Sequence, residues 1–161
     1  MKDLGHLNYF LGLEITHSTD GLYITQVKYA SELLSQAGLT DSKTVDTPVE
    51  LNAHLTPSGG EPLSNPSLYR RLVGNLVYLT VTRPNISYAI HQVSQYLSAP
   101  RSTHYAAVLH ILRYLKGTLF HGLSTQLSLL LYYVHSLMLT GQGIPLIAGP
   151  LQVIAFSLVL L

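Results

Sequence analysis

The chain has 161 residues, enough for one ordinary domain with its own core, and no cysteine, which excludes disulfides and thiolate metal sites. Its net charge of +1 hides three parts: residues 1–61 hold three basic and all eight acidic side chains, residues 62–116 hold six basic and no acidic ones, and residues 117–161 hold neither. Such a basic block is either the footprint of a polyanion or a solvated helix face, and charge alone does not separate them.

The opening Met-Lys-Asp-Leu-Gly-His lacks the apolar segment of a signal peptide. Leu7 to Ile15 reads as a strand, with Tyr9, Leu11, Leu13 and Ile15 on one face at period two. Ser18, Thr19, Asp20 and Gly21 form a turn cluster, and Leu22 to Gln26 supplies a second strand, which makes a β-hairpin. Val27 to Ala37 has helical spacing in Tyr29, Leu33, Leu34 and Ala37, and Gly38 stands where a C-terminal cap glycine belongs. Residues 39–66 show no period, and Pro48, Pro57 and Pro62 forbid a helix, so this stretch reads as a long extended linker.

Three helices are expected next. Pro66 opens the first as an N1 residue, with Leu68, Leu72, Leu76 and Leu79 along one face. Pro84 opens the second, with Ile86, Ile90, Val93 and Leu97 as its stripe. Thr103 caps the third, whose stripe is Val108, Ile111, Leu112 and Leu115 before Gly117 ends it. The stripes can bury one another in a small bundle. From Gly122 the chain is Leu-, Ile- and Val-rich without period and broken by Gly141, Gly143, Pro145, Gly149 and Pro150. Leu127–Leu139 is shorter than the ~20 residues that cross a bilayer, and Ile144–Leu161 is only marginal and interrupted. No Lys or Arg flanks either stretch to orient it, so no membrane partner is expected.

Six segments, in order, carry a family resemblance. They are Met1-Lys-Asp-Leu-Gly-His-Leu-Asn-Tyr-Phe-Leu-Gly-Leu-Glu-Ile15, Gln26-Val-Lys-Tyr-Ala30, Thr47-Pro-Val-Glu50, Tyr69-Arg-Arg-Leu-Val-Gly-Asn-Leu-Val-Tyr-Leu-Thr80, Thr82-Arg-Pro-Asn-Ile86 and Leu112-Arg-Tyr-Leu-Lys-Gly-Thr118. Residues 1–118 thereby resemble the C-terminal part of the reverse transcriptase in copia-type retrotransposon Pol polyproteins. Asn85, Tyr105 and His110 depart from the residues commoner there (Asp, Trp and Arg), which touches individual contacts more than the assignment.

The expected fold is α+β: a hairpin and helix (1–38) and a linker (39–66), then a helical region (67–118) that the resemblance likens to a thumb or connection, and a poorly defined, apolar, out-of-frame tail (119–161). The resemblance also implies a partner, an RNA–DNA template–primer duplex, besides the remainder of a Pol polyprotein. In this family the Tyr-x-Asp-Asp segment lies upstream of the part that Met1 begins, and two-metal nucleotidyl transfer needs clustered carboxylates that hold ions about 3.5–4 Å apart. Asp3, Asp20, Asp41 and Asp46 sit in turn or linker settings, so the fragment is expected to be inactive, without the magnesium ions of its parent enzyme. The hairpin resembles the one that grips the primer end, which makes Phe10, Leu11 and Gly12 candidate contacts; the alternative is an ordinary hairpin with a bulge at Gly12. Arg70, Arg71, Arg83, Arg113 and Lys116 are candidate phosphate contacts that position the duplex without reading bases.

After Leu-Lys-Gly-Thr the family continues into a ribonuclease H domain, whose opening strand is missing here. Read from the third base of each codon, Ser136–Leu160 permits that family's pattern, so a frameshift between about Gly122 and Tyr133 is expected, with an apolar tail as its by-product. Without the palm, exposed apolar strand faces would favour aggregation. Two alternatives stand beside this reading: a non-catalytic nucleic-acid binding module, and a small membrane-associated protein. A histidine metal site is disfavoured because His104 and His110, six apart, do not share a helix face.

Overall fold

A computed structural model of the chain describes residues 8–10, 12–19, 21–39, 43–50 and 54–125. They form two compact units: a sheet from the residues up to Gln26 together with those from His121 on, and a helical unit, Val27–Phe120. The α+β class is therefore as expected.

The sheet is antiparallel with strands in chain order, β1 (Tyr9–Phe10), β2 (Leu13–Ser18), β3 (Gly21–Thr25) and β4 (Leu123–Thr125). Alternation sets its faces. Leu13, Ile15, Leu22 and Ile24 are buried, while Thr16 and Tyr23, paired across β2 and β3, stand exposed on the opposite side.

The single strand expected over Leu7–Ile15 is broken. Tyr9 pairs with Glu14 and Phe10 with Leu13, so the chain doubles back, and Gly12 at φ +81° makes the reversal. Gly12 is therefore a turn residue rather than a bulge. β4 is an element that the sequence reading left in the tail. It joins β3 through Leu123 opposite Ile24 and Thr125 opposite Leu22. A β-carbon on Gly122 would collide with the Ile24 carbonyl oxygen, so glycine is what lets the two backbones meet.

In the helical unit, α1 (Val27–Gln36) ends in a Schellman arrangement. Gly38 takes φ +68°, and the Leu39 N–H donates to the Leu34 carbonyl at 3.0 Å. α2 (Pro66–Leu79) starts with proline at N1, and Asn65 Oδ1 accepts from the Leu68 N–H at 3.2 Å. A single 3₁₀ turn, Pro84–Ile86, leads into α3 (Ser87–Ser94), and α4 spans Ser102–Gly117.

Thr103 does not cap α4. The cap position belongs to Arg101, whose backbone N–H donates to His104 Nδ1 at 3.0 Å, while the Thr103 hydroxyl donates to the Gly59 carbonyl. The predicted stripes meet in one core. Leu72, Leu76, Leu79, Ile86, Ile90, Val93, Val108, Ile111, Leu112 and Leu115 are all buried there, each worth about 2–3 kcal/mol. Ala30, Leu33 and Leu34 of α1 share that core. The helix grouped with the hairpin in the sequence reading thus packs with the bundle.

The stretch read as a linker is a strap. Its described residues 43–50 and 54–65 run without helix along α3 and α4, fixed through their own backbone. Tyr96 donates to the Leu55 carbonyl (2.9 Å), Arg101 to that of Gly60 (2.9 Å), and the Ser102 and Leu63 N–H groups pair with Glu61 and Pro100. No helix among the described residues is long and apolar enough to cross a membrane. The two apolar tail stretches, and the stretch read as out of frame, lie outside the described residues.

Candidate nucleic-acid interface

α2 buries Tyr69, Leu72, Val73, Leu76 and Leu79, and the helical period leaves Ser67, Arg70, Arg71, Gly74 and Val77 exposed on the other side. Glycine inside a helix costs about 1 kcal/mol relative to alanine. Gly74 has no packing reason for that cost, because a β-carbon built there meets nothing within 4 Å. Next to it lies Arg71, three residues back on the same face, with no hydrogen bond or ion pair among the described residues. Val77, three residues on, is 51% exposed. A cation, a missing side chain and a bare apolar group thus line up along about two turns.

The remaining candidates divide by environment. Arg70 is exposed but donates from Nε to the Leu97 carbonyl (2.8 Å) and from a terminal nitrogen to that of Ser98 (3.3 Å). Arg83 is only 4% exposed, and its guanidinium donates to the carbonyl and hydroxyl oxygens of Thr118 just beyond α4. Burial and those partners make Arg83 a tie within the chain rather than a phosphate contact. Arg113 and Lys116 lie one turn apart on α4, both half-buried, Arg113 without a partner among the described residues. On the hairpin, Gly12 sits in the turn and Phe10 pairs with Leu13, while Leu11 lies outside the described residues.

Tyr69 supports α2 from inside. Its hydroxyl donates to the Val93 carbonyl at 2.6 Å, and burial pushes its pKa up to about 12, with the nearby Tyr96 adding to the shift. His104 supports the strap. Nδ1 accepts from the Arg101 N–H, so Nε2 carries the hydrogen that points at the Thr56 carbonyl, 3.0 Å away. The ring also stacks on Tyr96 at 3.8 Å.

The strap, α3 and α4 enclose a groove of about 760 Å³. Nothing in the sequence marks it, since its walls come from residues some 40–60 positions apart. No group of three or more His, Asp or Glu among the described residues is placed to hold a metal ion, and of the four aspartates only Asp46 lies among them.

A family model described as reverse transcriptase (RNA-dependent DNA polymerase) matches residues 1–51. The retrovirus-related Pol polyprotein from transposon RE2 of Arabidopsis thaliana is 40% identical over 123 residues, 76% of this chain and 8% of that protein. The chain belongs to the reverse-transcriptase-like Pol polyprotein family.

An uncharacterized mitochondrial protein of Arabidopsis thaliana is 44% identical to this Pol-family chain over 123 residues, 76% of the chain and 51% of the relative. A putative transposon Ty5-1 protein of Saccharomyces cerevisiae is 32% identical over 138 residues, 82% of the chain and 45% of the relative. The Pol-family chain thus spans about half the length of its mitochondrial relative and a small part of the polyprotein. No solved structure matches it.

Proposed function

We propose that this Pol-family chain is a non-catalytic, duplex-binding part of a reverse transcriptase, which holds a template–primer along the outer face of α2. The observation that carries this reading is Gly74, a helical glycine with open space where its side chain would be, beside the exposed Arg71, which has no partner among the described residues. A glycine retained without an internal reason suits a partner whose backbone comes close. A polyphosphate backbone is the partner that a free guanidinium three residues away would hold. Arg113 and Lys116 extend the basic character onto α4, and residues 62–116 contain no acidic side chain to repel a duplex. The 161 residues contain no Tyr-x-Asp-Asp, so the metal-assisted chemistry is assigned to other parts of a polymerase.

The test is fluorescence anisotropy with a short blunt RNA–DNA duplex over a range of salt concentrations. Binding should weaken as salt rises, and Arg71→Ala should reduce the slope of log K against log salt by about 1. An affinity independent of salt, or a slope unchanged in Arg71→Ala, removes the reading.

A further inference from the structure

We propose that the groove between the strap and helices α3 and α4 is a pocket for one unstacked nucleobase, supplied by a single-stranded extension of the duplex. This deepens the duplex-binding reading and rests on it, and of the residues used there it takes only Arg113. The volume, about 760 Å³, falls in the range of small-molecule pockets. Its walls are largely apolar, formed by Val49 and Leu55 of the strap, Ala89 and Val93 of α3, and Ala106 and Ile111 of α4. At the lining stands Tyr88, 65% exposed, a large ring left in water where a base can stack on it.

Charge decides the kind of ligand. Among the described residues no Lys or Arg lines the groove and Glu50 is its one carboxylate, so a phosphate does not belong inside. Just outside the situation reverses. Ala106 and His110 line the groove, and Arg113 follows them at the same helical face, seven and three residues on. It lies about 4.5 Å further along the axis than His110. Arg113 has no partner among the described residues.

His110 itself is held as wall, with Nε2 on the Thr47 carbonyl at 2.9 Å. A neutral planar ring in the groove would thus have its phosphate on Arg113. The Glu50 carboxylate accepts hydrogen bonds only, so it favours bases with an exocyclic amino group over thymine or uracil, whose single N3–H donor is flanked by two repelling carbonyls.

The whole chain is titrated by anisotropy with three labelled probes: a blunt RNA–DNA duplex, the same duplex with a two-cytosine overhang, and one with a two-thymine overhang. The cytosine overhang should bind about tenfold tighter than the blunt end, the gain that stacking one base on an aromatic ring supplies. Tyr88→Ala should cancel that gain and leave blunt-duplex affinity unchanged. Glu50→Gln should bring the cytosine and thymine overhangs together. Equal affinity for all three probes, or a gain that survives Tyr88→Ala, overturns the proposal. If the blunt duplex does not bind at all, the α2 reading fails by itself. The pocket is then judged on single-stranded cytosine and thymine oligomers, where a cytosine preference lost in Tyr88→Ala supports it and equal binding overturns it.

Discussion

The buried guanidinium of Arg83 donates to the Thr118 carbonyl at 2.7 Å and so joins the residue before the 3₁₀ turn to the one that follows α4. The Thr118 hydroxyl, which also accepts from Arg83, donates in turn to the Tyr114 carbonyl at 2.9 Å. This is a fold contact carried by a residue whose charge suggests binding. Arg83→Met, which keeps the aliphatic stem, should cost about 2 kcal/mol in a denaturant melt, because a charged hydrogen bond is lost. The salt slope of duplex binding should stay as in the unmodified chain.

Tyr69 makes the chain sensitive to alkali. A tyrosine whose pKa is about 10 unfolded and about 12 folded contributes stability that is complete below pH 10 and is lost as pH rises toward 12. The loss should reach about 2 kcal/mol by pH 11.5, measured by urea melts from pH 9 upward. Tyr29, whose pKa burial also raises, adds a decline in the same direction. Tyr69→Phe should lose about 1–2 kcal/mol at neutral pH, since the Val93 carbonyl is left without its donor, and should flatten most of the alkaline decline.

The strap depends on His104. Its ring accepts from Arg101, donates to Thr56 and stacks on Tyr96, three interactions that no other side chain supplies together. His104→Ala should cost about 3 kcal/mol and open the strap to limited proteolysis between residues 43 and 63, while α2 and its core retain protected amides. Cleavage at the same rate as in the unmodified chain would show that the strap is held by its remaining hydrogen bonds.

The helices were legible because their signals are local. Pro66, Gly38 and the Leu and Ile spacings act within one or two turns, and the start of α2, the end of α1 and the buried stripes follow from them. The strap was not, because what makes it a strap is a set of bonds between its carbonyls and side chains about 40–60 residues later, such as Thr47 with His110. Pro48, Pro57 and Pro62 argue against helix, and the described residues around them have none, but they say nothing of docking. β4 was missed for a similar reason: three residues carry no period, and only Gly122 against Ile24 betrays the pairing.

The candidate site was half legible. The motif around Arg70 and Arg71 marks the helix on which the proposed interface is built, and composition marks the basic block. Composition cannot tell Arg83, folded inward on Thr118, from Arg71, which is exposed on the surface. Gly74 belongs to the quoted motif, yet its meaning appears only when the space around it is seen to be empty. The groove beside the strap had no sequence signal at all.

Substitution of Gly74 tests the central claim most directly, because it sets stability and binding in opposition. Gly74→Ala and Gly74→Leu should both fold, the alanine variant more stable by about 0.5–1 kcal/mol, since nothing lies within 4 Å of the added carbon. If α2 carries the duplex, Gly74→Leu should weaken its affinity about tenfold in the anisotropy titration despite that intact fold. Unchanged duplex affinity in a well-folded Gly74→Leu chain would contradict the account.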